Sequence, residues 1–508
     1  MSFQSLSFLL FLAVTAAVCL ILRRKSASSA LAALEVACLV FYLAGGGWQS
    51  FLVLAVGVVV TRAALLRLTD PECRDRRRVL ALACIWHVAV LLAFKYTGFF
   101  TGGALSIGWV PLGLSFFTFQ QLWLLKEVYT GAYVPAQDER LFLFAFFFPT
   151  VTSGPILKPG DFFPQLTGED FLRPGWEGAA AGLYAISCGT AKKVLLADSF
   201  GAVVNNGWDR LAELSAPAAW LVILGYTFQL YFDFSGYCDI AAGVARILGI
   251  RLPVNFNSPY RSLSIGEFWK RWHITLTSFL RECVYFPLGG SRRGKGRTYL
   301  NIMVIFLVSG FWHGAGWTFL IWGALHGLAQ VIERAWGPSR DRRPRLVRWG
   351  LTFLFVNIAW VFFRAPDLTG AVELLRTALT GGLAKPEPWL LDALFSKETG
   401  ALEMILPALT PWMNIFRVVG LYGVGLIMVL WPRNTISRMD SFRPTFWRAA
   451  GLTAGERRRG SGAGEGVTAL LAPALTVLGV PPETAPLLVI RPLSGSGALA
   501  AGGDIMRQ

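Results

Sequence analysis

The 508-residue chain has four histidines, and two of them fall in one apolar stretch. His313 lies in Trp312-His313-Gly314-Ala315-Gly316-Trp317, and His326 in Trp322-Gly323-Ala324-Leu325-His326-Gly327. A third, His273, ends Phe268-Trp269-Lys270-Arg271-Trp272-His273. Imidazole titrates near neutrality, so it suits the taking and returning of a proton. Placing it in a lipid-embedded segment is costly, which makes such a histidine a functional candidate. The competing reading for His313 is a structural ring bonded to a helix carbonyl. For His273 it is an interfacial ring on an amphipathic helix. Glycines 314 and 316 let backbone or substrate approach His313 closely. His326 follows His313 by 13 residues, which on one straight helix is about 220° of rotation and about 20 Å of rise. The two rings cannot then share a face. Either Gly314 and Gly316 break the helix or His326 has a separate structural role. His87, in CIWHVAV, has no supporting motif and reads as a polar group packed between helices.

The elements that position these residues are membrane helices. Hydrophobic residues make up 54% of the chain and charged residues 15%, against about 25% charged in ordinary soluble domains. Apolar runs near 5–22, 30–44, 48–61, 79–95, 113–130, 178–197, 216–232, 299–312, 317–333, 346–363 and 415–431 predict an all-α, polytopic protein of roughly ten to twelve crossings. The run 141–152 is followed by Gly154-Pro155 and Pro159-Gly160. Such an interrupted segment predicts re-entrant chain, tolerated only where protein or a water-filled cavity satisfies its backbone. A central tunnel is the natural inference.

Residues 264–288 carry Glu267, Lys270, Arg271, Arg281 and Glu282 among aromatics, which predicts an amphipathic helix lying at the cytoplasmic interface. Ser264 followed by Glu267 predicts a capping box, and Asn255, Asn257 and Pro259 a turn at its entry. Residues 366–401 read as a polar connector, and 455–466 as a charged linker. The apolar stretch 467–490 contains four prolines and makes a poor membrane helix. The domain organisation is therefore a membrane domain over 1–440 and a tail over 441–508.

The net charge of +16 reads as the positive-inside rule, because the basic residues cluster between apolar runs. Arg23, Arg24 and Lys25 follow the first run; Arg62, Arg67, Arg74, Arg76, Arg77 and Arg78 follow the third. Arg292, Arg293, Lys295 and Arg297 form another cluster, and Arg340, Arg342, Arg343 and Arg345 a fourth. This predicts an amino terminus outside. No aromatic-rich soluble module accompanies the charge, so nucleic acid is not the expected partner. The first run lacks a preceding basic region and reads as a retained span rather than a signal peptide. Seven scattered cysteines without a CxxC pair predict reduced, buried thiols, and no ligand spacing predicts a metal. Lys126, Glu127, Asp233 and Asp239 interrupt apolar runs. Charges at such depth either line a cavity or pair between helices, and the sequence leaves both open.

Several segments together carry a resemblance. NFNSPY at 255–260 leads into SIGEFWKRWHITLTSFLRECVYFPLGGSRRGKGR at 264–297, followed by FWHGAGWTFLIWGALHG at 311–327. SFFTFQ at 115–120, SGPILKPGDFFPQL at 153–166, YTFQLYFDFSGYCDIAAGVARILGIRLP at 226–253 and WVFFRA at 360–365 extend it. The ordered set resembles the bacterial branch of the membrane-bound O-acyltransferase family, on its alginate O-acetyltransferase side. The tail beyond about residue 440 departs from the family pattern.

The resemblance implies an inner-membrane O-acyltransferase of the cell envelope. His313 would be its catalytic histidine, His273 would line the same chamber, and His326 is a further candidate. Acyl transfer needs a base for the hydroxyl proton and donors for the developing oxyanion. His273 would orient substrate or donate to the thioester carbonyl. Arg271 and Arg281 would meet a donor phosphate or an acidic carrier protein, or serve as membrane-surface anchors. The donor would be acetyl-CoA or another acyl thioester, with no permanently bound cofactor. The acceptor would be an exopolysaccharide such as alginate or cellulose, reached through a periplasmic partner. No Gly-x-Ser-x-Gly elbow is present, so transfer is expected to be direct or to use a serine of that partner. The rivals are D-alanyl transfer to a cell-wall polymer, a transporter of acyl donors or lipids with a histidine proton relay, and a non-catalytic export scaffold.

Overall fold

A computed structural model describes residues 3–442 except 4, 106, 137, 138, 392–409, 432 and 433, with the backbone path alone at 340 and 410–417. The expected tail therefore lies, beyond residue 442, outside the described residues, as do 392–401 of the expected connector. Every regular element among the described residues is helical.

The chain begins with α1 (Leu6–Arg23), started by the Ser5 side chain accepting from Phe8 N–H. In α2 (Ala27–Leu68), Gly47 adopts φ 74, ψ 170, a backbone conformation suited to glycine. It divides α2 into stretches of about 20 residues, each about 30 Å long, the thickness of a bilayer core. α3 (Arg76–Phe100) and α4 (Leu114–Tyr129) follow. These helices enclose α5 (Leu141–Phe146) and the irregular chain after it, where Phe144, Phe146, Phe147 and Phe148 are fully buried.

From Trp176 to Asp209 the chain stays helical through α6 (Trp176–Ala191), a π-helical stretch Lys192–Ala197, and α7 (Asp198–Asp209). It packs along α8 (Ala216–Ile247). Two glycine pairs set that approach. A Cβ on Gly182 would lie 2.5 Å from Gly243 O, and one on Gly189 2.5 Å from Gly236 O. Small residues at such positions let membrane helices meet at backbone distance.

The expected single helix at 264–288 is instead three pieces. They are α9 (Ile265–Arg271), α10 (Ile274–Leu280) and a π-helical turn at Arg281–Tyr285. The break comes at His273, which adopts φ 44, ψ 55, a left-handed conformation that charge and periodicity do not reveal. Ser264 caps α9 as expected, accepting from Glu267 N–H at 3.0 Å. The Glu267 carboxylate reaches the N–H of Leu263 at 2.9 Å.

α11 (Gly294–His313), α12 (Trp317–Trp336) and α13 (Arg345–Arg364) come next. α14 (Leu368–Thr380) lies inside the expected connector. Its buried Ala371, Leu374 and Ala378 are spaced three and four apart, one helix face, and Asp367 caps it by accepting from Gly370 N–H. α15 (Thr410–Leu430) and α16 (Thr435–Asp440) end the described chain. Four of these helices (α1, α2, α3 and α13) are long and apolar enough to cross a membrane. Among the described residues these four helices do not by themselves establish the ten to twelve crossings expected at about 20 residues each. α4, α6 and α8 are helical as the apolar runs suggested, but α4 and α6 are only 16 residues long, and Asp233 and Asp239 interrupt α8.

Two apolar cores form. One gathers α1–α5 with Phe279 and Trp312, the other gathers α8, α9, α12 and α13 with Trp322 and Trp360.

Candidate active site

His313 and His273 sit at the seam between these cores. α11 stops at His313 because Gly314 is extended (φ −166, ψ 153), and α12 starts at Trp317, after a break of three residues. The glycines do break the helix. The two helices close tightly beyond the break, since a Cβ on Gly310 would lie 2.4 Å from Phe319 O and one on Gly323 2.3 Å from Phe306 O. A helix end leaves its last carbonyls without partners. Here α3 supplies them. Lys95 Nζ donates to Trp312 O and, at 3.4 Å, to His313 O, and Tyr96 OH donates to Phe311 O. The His313 ring meets the edges of Trp312 (4.7 Å), Trp322 (5.1 Å) and Phe363 (4.9 Å).

His273 is held from below by polar groups. Its Nδ1 lies 3.1 Å from Asn255 Oδ1. That oxygen also accepts from Thr275 N–H at 3.2 Å and from the Thr275 hydroxyl at 3.0 Å. A backbone N–H can only donate, so the atom facing it is the amide oxygen. Asn255 Nδ2 accordingly donates to Cys238 Sγ at 3.4 Å. The His273 Nδ1 must therefore carry the hydrogen, and in the neutral ring Nε2 carries the lone pair. That Nε2 is buried and has no partner among the described residues. The expectation that His273 donates to a carbonyl is at odds with this tautomer. It is poised to accept from a hydroxyl.

Both histidines line one cavity of about 380 Å³, with Lys95, Ser115, Lys193, Asp233 and Trp312 among its walls. Trp312 is the common wall, with ring centres 4.7 Å from His313 and 6.4 Å from His273. Its Nε1–H has no partner among the described residues. The π-helical stretch after α6 sets two adjacent lysines against α8. Lys192 pairs with the buried Asp239 at 2.6 Å, and Lys193 with Asp233. Asp233 thus both pairs and lines the cavity. Lys126 and Glu127 join Lys158 and Glu282 in a four-membered network.

His326 lies elsewhere. It is fully buried among Trp269, Trp322, Phe355 and Trp360 and does not line the cavity. Its Nδ1 accepts from Trp269 Nε1–H at 3.1 Å. His87 bonds the Thr61 hydroxyl at 2.9 Å between α2 and α3. Arg271 is engaged by Glu267 at 2.9 Å and by Asn257 O. Arg281 lines a second cavity of about 290 Å³, with Lys270, Thr277, Ser309 and Arg334. It adjoins a third of about 610 Å³, and the two share Gly266, Lys270, Ile302, Gln330 and Arg334. The second cavity shares no lining residue with the histidine cavity. Ser309 nevertheless precedes His313 by one helical turn, and its buried hydroxyl has no partner among the described residues. Among the described residues no group of three or more His, Cys, Asp or Glu side chains is arranged to hold a metal ion.

Sequence reasoning missed Lys95, Lys192 and Lys193, and it read Asn255 only as a turn residue. A lysine inside an apolar run, as at Lys95 in LLAFKYTGFF, was the available signal.

The family model described as MBOAT, membrane-bound O-acyltransferase family, matches residues 139–365, which include both cavity histidines. A peptidoglycan O-acetyltransferase of Helicobacter pylori is 39% identical over 64% of this chain and 69% of its own length. A probable alginate O-acetylase AlgI of Pseudomonas aeruginosa is 37% identical over 69% of each chain. A teichoic acid D-alanyltransferase of Streptococcus thermophilus is 31% identical over 52% of this chain and 66% of its own.

Proposed function

The chain belongs to the membrane-bound O-acyltransferase family and is an O-acyltransferase, and from that premise we propose that it O-acetylates an extracytoplasmic polysaccharide. The observation that carries the site assignment is the pair of imidazoles on one cavity, with His273 Nε2 fixed as an acceptor by Asn255. In this reading an acyl thioester, acetyl-CoA or an acylated carrier protein, enters from the basic end of α11. The cavity of Lys270, Arg281 and Arg334 offers cations for its phosphates. Arg271, already engaged by Glu267, is a weaker candidate for that task. The attacking acceptor hydroxyl donates its one hydrogen to His313, which takes that proton as the oxygen attacks, while His273 Nε2 accepts from a second hydroxyl of the acceptor and so orients it. The acetyl group then leaves on the acceptor, an exopolysaccharide or a periplasmic protein that passes it on. The membrane is the inner membrane, with the amino terminus outside.

The test is the acetyl-ester content of the host's extracellular polysaccharide with wild type, His313→Ala and His273→Ala at matched membrane expression. Loss of ester in both variants supports the reading. Full esterification without the His313 imidazole removes it from the role of base.

A further inference from the structure

Four lysines set among the apolar elements meet carboxylates, and Lys95 does not. Lys126, Lys158, Lys192 and Lys193 each pair with Asp or Glu. Lys95 has no carboxylate partner among the described residues; its Nζ faces the carbonyls of Trp312 and His313. A helix C-terminus offers about half a negative charge, so the ammonium is only partly compensated. It also lines the cavity that holds His273 and His313. An ammonium has three donors and no acceptor, and the two carbonyls engage two of them.

We propose that Lys95 is a further catalytic residue, whose charge and remaining N–H hold the oxyanion formed during acyl transfer. This rests on the acyl-transfer reading of the same cavity. The acceptor oxygen bonds to the thioester carbonyl carbon, and its proton passes to imidazole. The carbonyl π pair moves onto oxygen, which becomes anionic beside Lys95. On collapse the C=O re-forms, the C–S bond breaks, and the sulfur leaves with the proton returned from imidazolium. Lys95 stays protonated throughout. A fixed cation in a water-poor site is worth most where charge develops. The Trp312 and His313 carbonyls hold Nζ in place beforehand, so the same contacts that cap α11 aim the charge at the reacting carbon's oxygen.

The experiment uses the full-length protein in detergent with acetyl-CoA as donor and alginate oligosaccharide as acceptor, reading ester formation and the thermal midpoint together. Lys95→Gln keeps an N–H for the carbonyls and loses the charge; Lys95→Met loses both; Lys95→Arg keeps the charge. Gln and Met are expected to lower kcat on the order of 10²–10³-fold, with KM for both substrates little changed. Arg is expected to recover a measurable part, and Gln to melt as wild type does. Should Met fail to fold, the Gln and Arg pair decides. Wild-type kcat in Lys95→Gln, or losses that follow only the folded fraction, would overturn the proposal. His313→Ala is run beside them. A wild type without activity, or a fully active His313→Ala, removes the acyl-transfer reading and this inference with it. Loss at His313 with full activity in Lys95→Gln removes Lys95 alone.

Discussion

The protonation pattern of His273 is decided by atoms outside its own ring. Thr275 N–H orients the Asn255 amide, and the amide oxygen then requires a hydrogen on Nδ1. Asn255→Leu keeps the volume and removes the acceptor, so the ring can turn or take the other tautomer. Activity is expected to fall by up to about 10⁴-fold, the loss seen when a catalytic histidine is left in the wrong tautomer. Asn255→Asp, which still accepts at Nδ1, is expected to stay well above the Leu variant; initial rates per folded molecule check both. His326 makes the opposite case. It accepts from Trp269 Nε1–H inside an aromatic cluster away from the cavity. His326→Ala orphans that N–H, at about 1–3 kcal/mol, and adds the cost of the void. A lower thermal midpoint with unchanged turnover per folded molecule is expected; lost turnover at full stability would return His326 to the catalytic set. The histidines were legible because they are few and lie in apolar sequence. Lys95 was not tied to His313 by any local pattern, since 218 residues separate the two. Asn255 stands 18 residues before His273, too far for a turn to connect them.

At the scale of elements, periodicity located most helices but not their interruptions. The break at His273 carries no glycine or proline to announce it, and it exists because Asn255, Thr275 and Ile156 hold the loop around it. Ile156 N–H donates to the Thr275 hydroxyl at 3.1 Å, tying the irregular chain after α5 to the same cluster. The helix at Leu368–Thr380 was hidden by the polar residues around it, although Ala371, Leu374 and Ala378 already form a buried face. The glycine pairs between α6 and α8 give a test of this scale. Gly189→Ala would set a methyl 2.5 Å from Gly236 O. The helices must then separate, and with them the π-helical lysines that pair with Asp233 and Asp239. Overpacking of this kind costs about 1–3 kcal/mol or more. A lowered melting midpoint of the detergent-solubilised protein is expected, with a larger drop for Gly189→Val. Wild-type melting in both would mean that the interface has room the structure does not show.

At the scale of the molecule, charge and cavities share one axis. α3 begins at Arg76 and carries Lys95 near its far end; α11 begins beside Arg292, Arg293 and Lys295 and ends at His313. α12 returns to Arg334, and α13 starts again at Arg345. The second cavity, with Lys270, Arg281 and Arg334, lies toward the basic ends, and the histidine cavity toward the opposite ends. Arg364, at the far end of α13, is an exception, and it is bonded to Asn205 at 2.9 Å. The positive-inside rule then predicts the second cavity on the cytoplasmic side and the histidine cavity toward the outside. Two exposed positions report this directly: Lys295, at the start of α11, and Ala315, in the break after His313. A membrane-impermeant maleimide applied to intact spheroplasts should label Ala315→Cys above the background of the parent chain. Lys295→Cys should label only after the membrane is opened. The reverse pattern would place the donor-side cations outside, where no cytoplasmic thioester reaches them, and the proposed direction of transfer would fail even if both histidines proved essential. With the expected pattern, the predicted route of the acyl group to the histidines runs between α10 and α11. There Thr277 and Ser309, each one turn from a histidine, line the second cavity. Ser309→Leu, which fills that passage without touching either imidazole's partners, should then block transfer from acetyl-CoA while leaving the thermal midpoint near wild type.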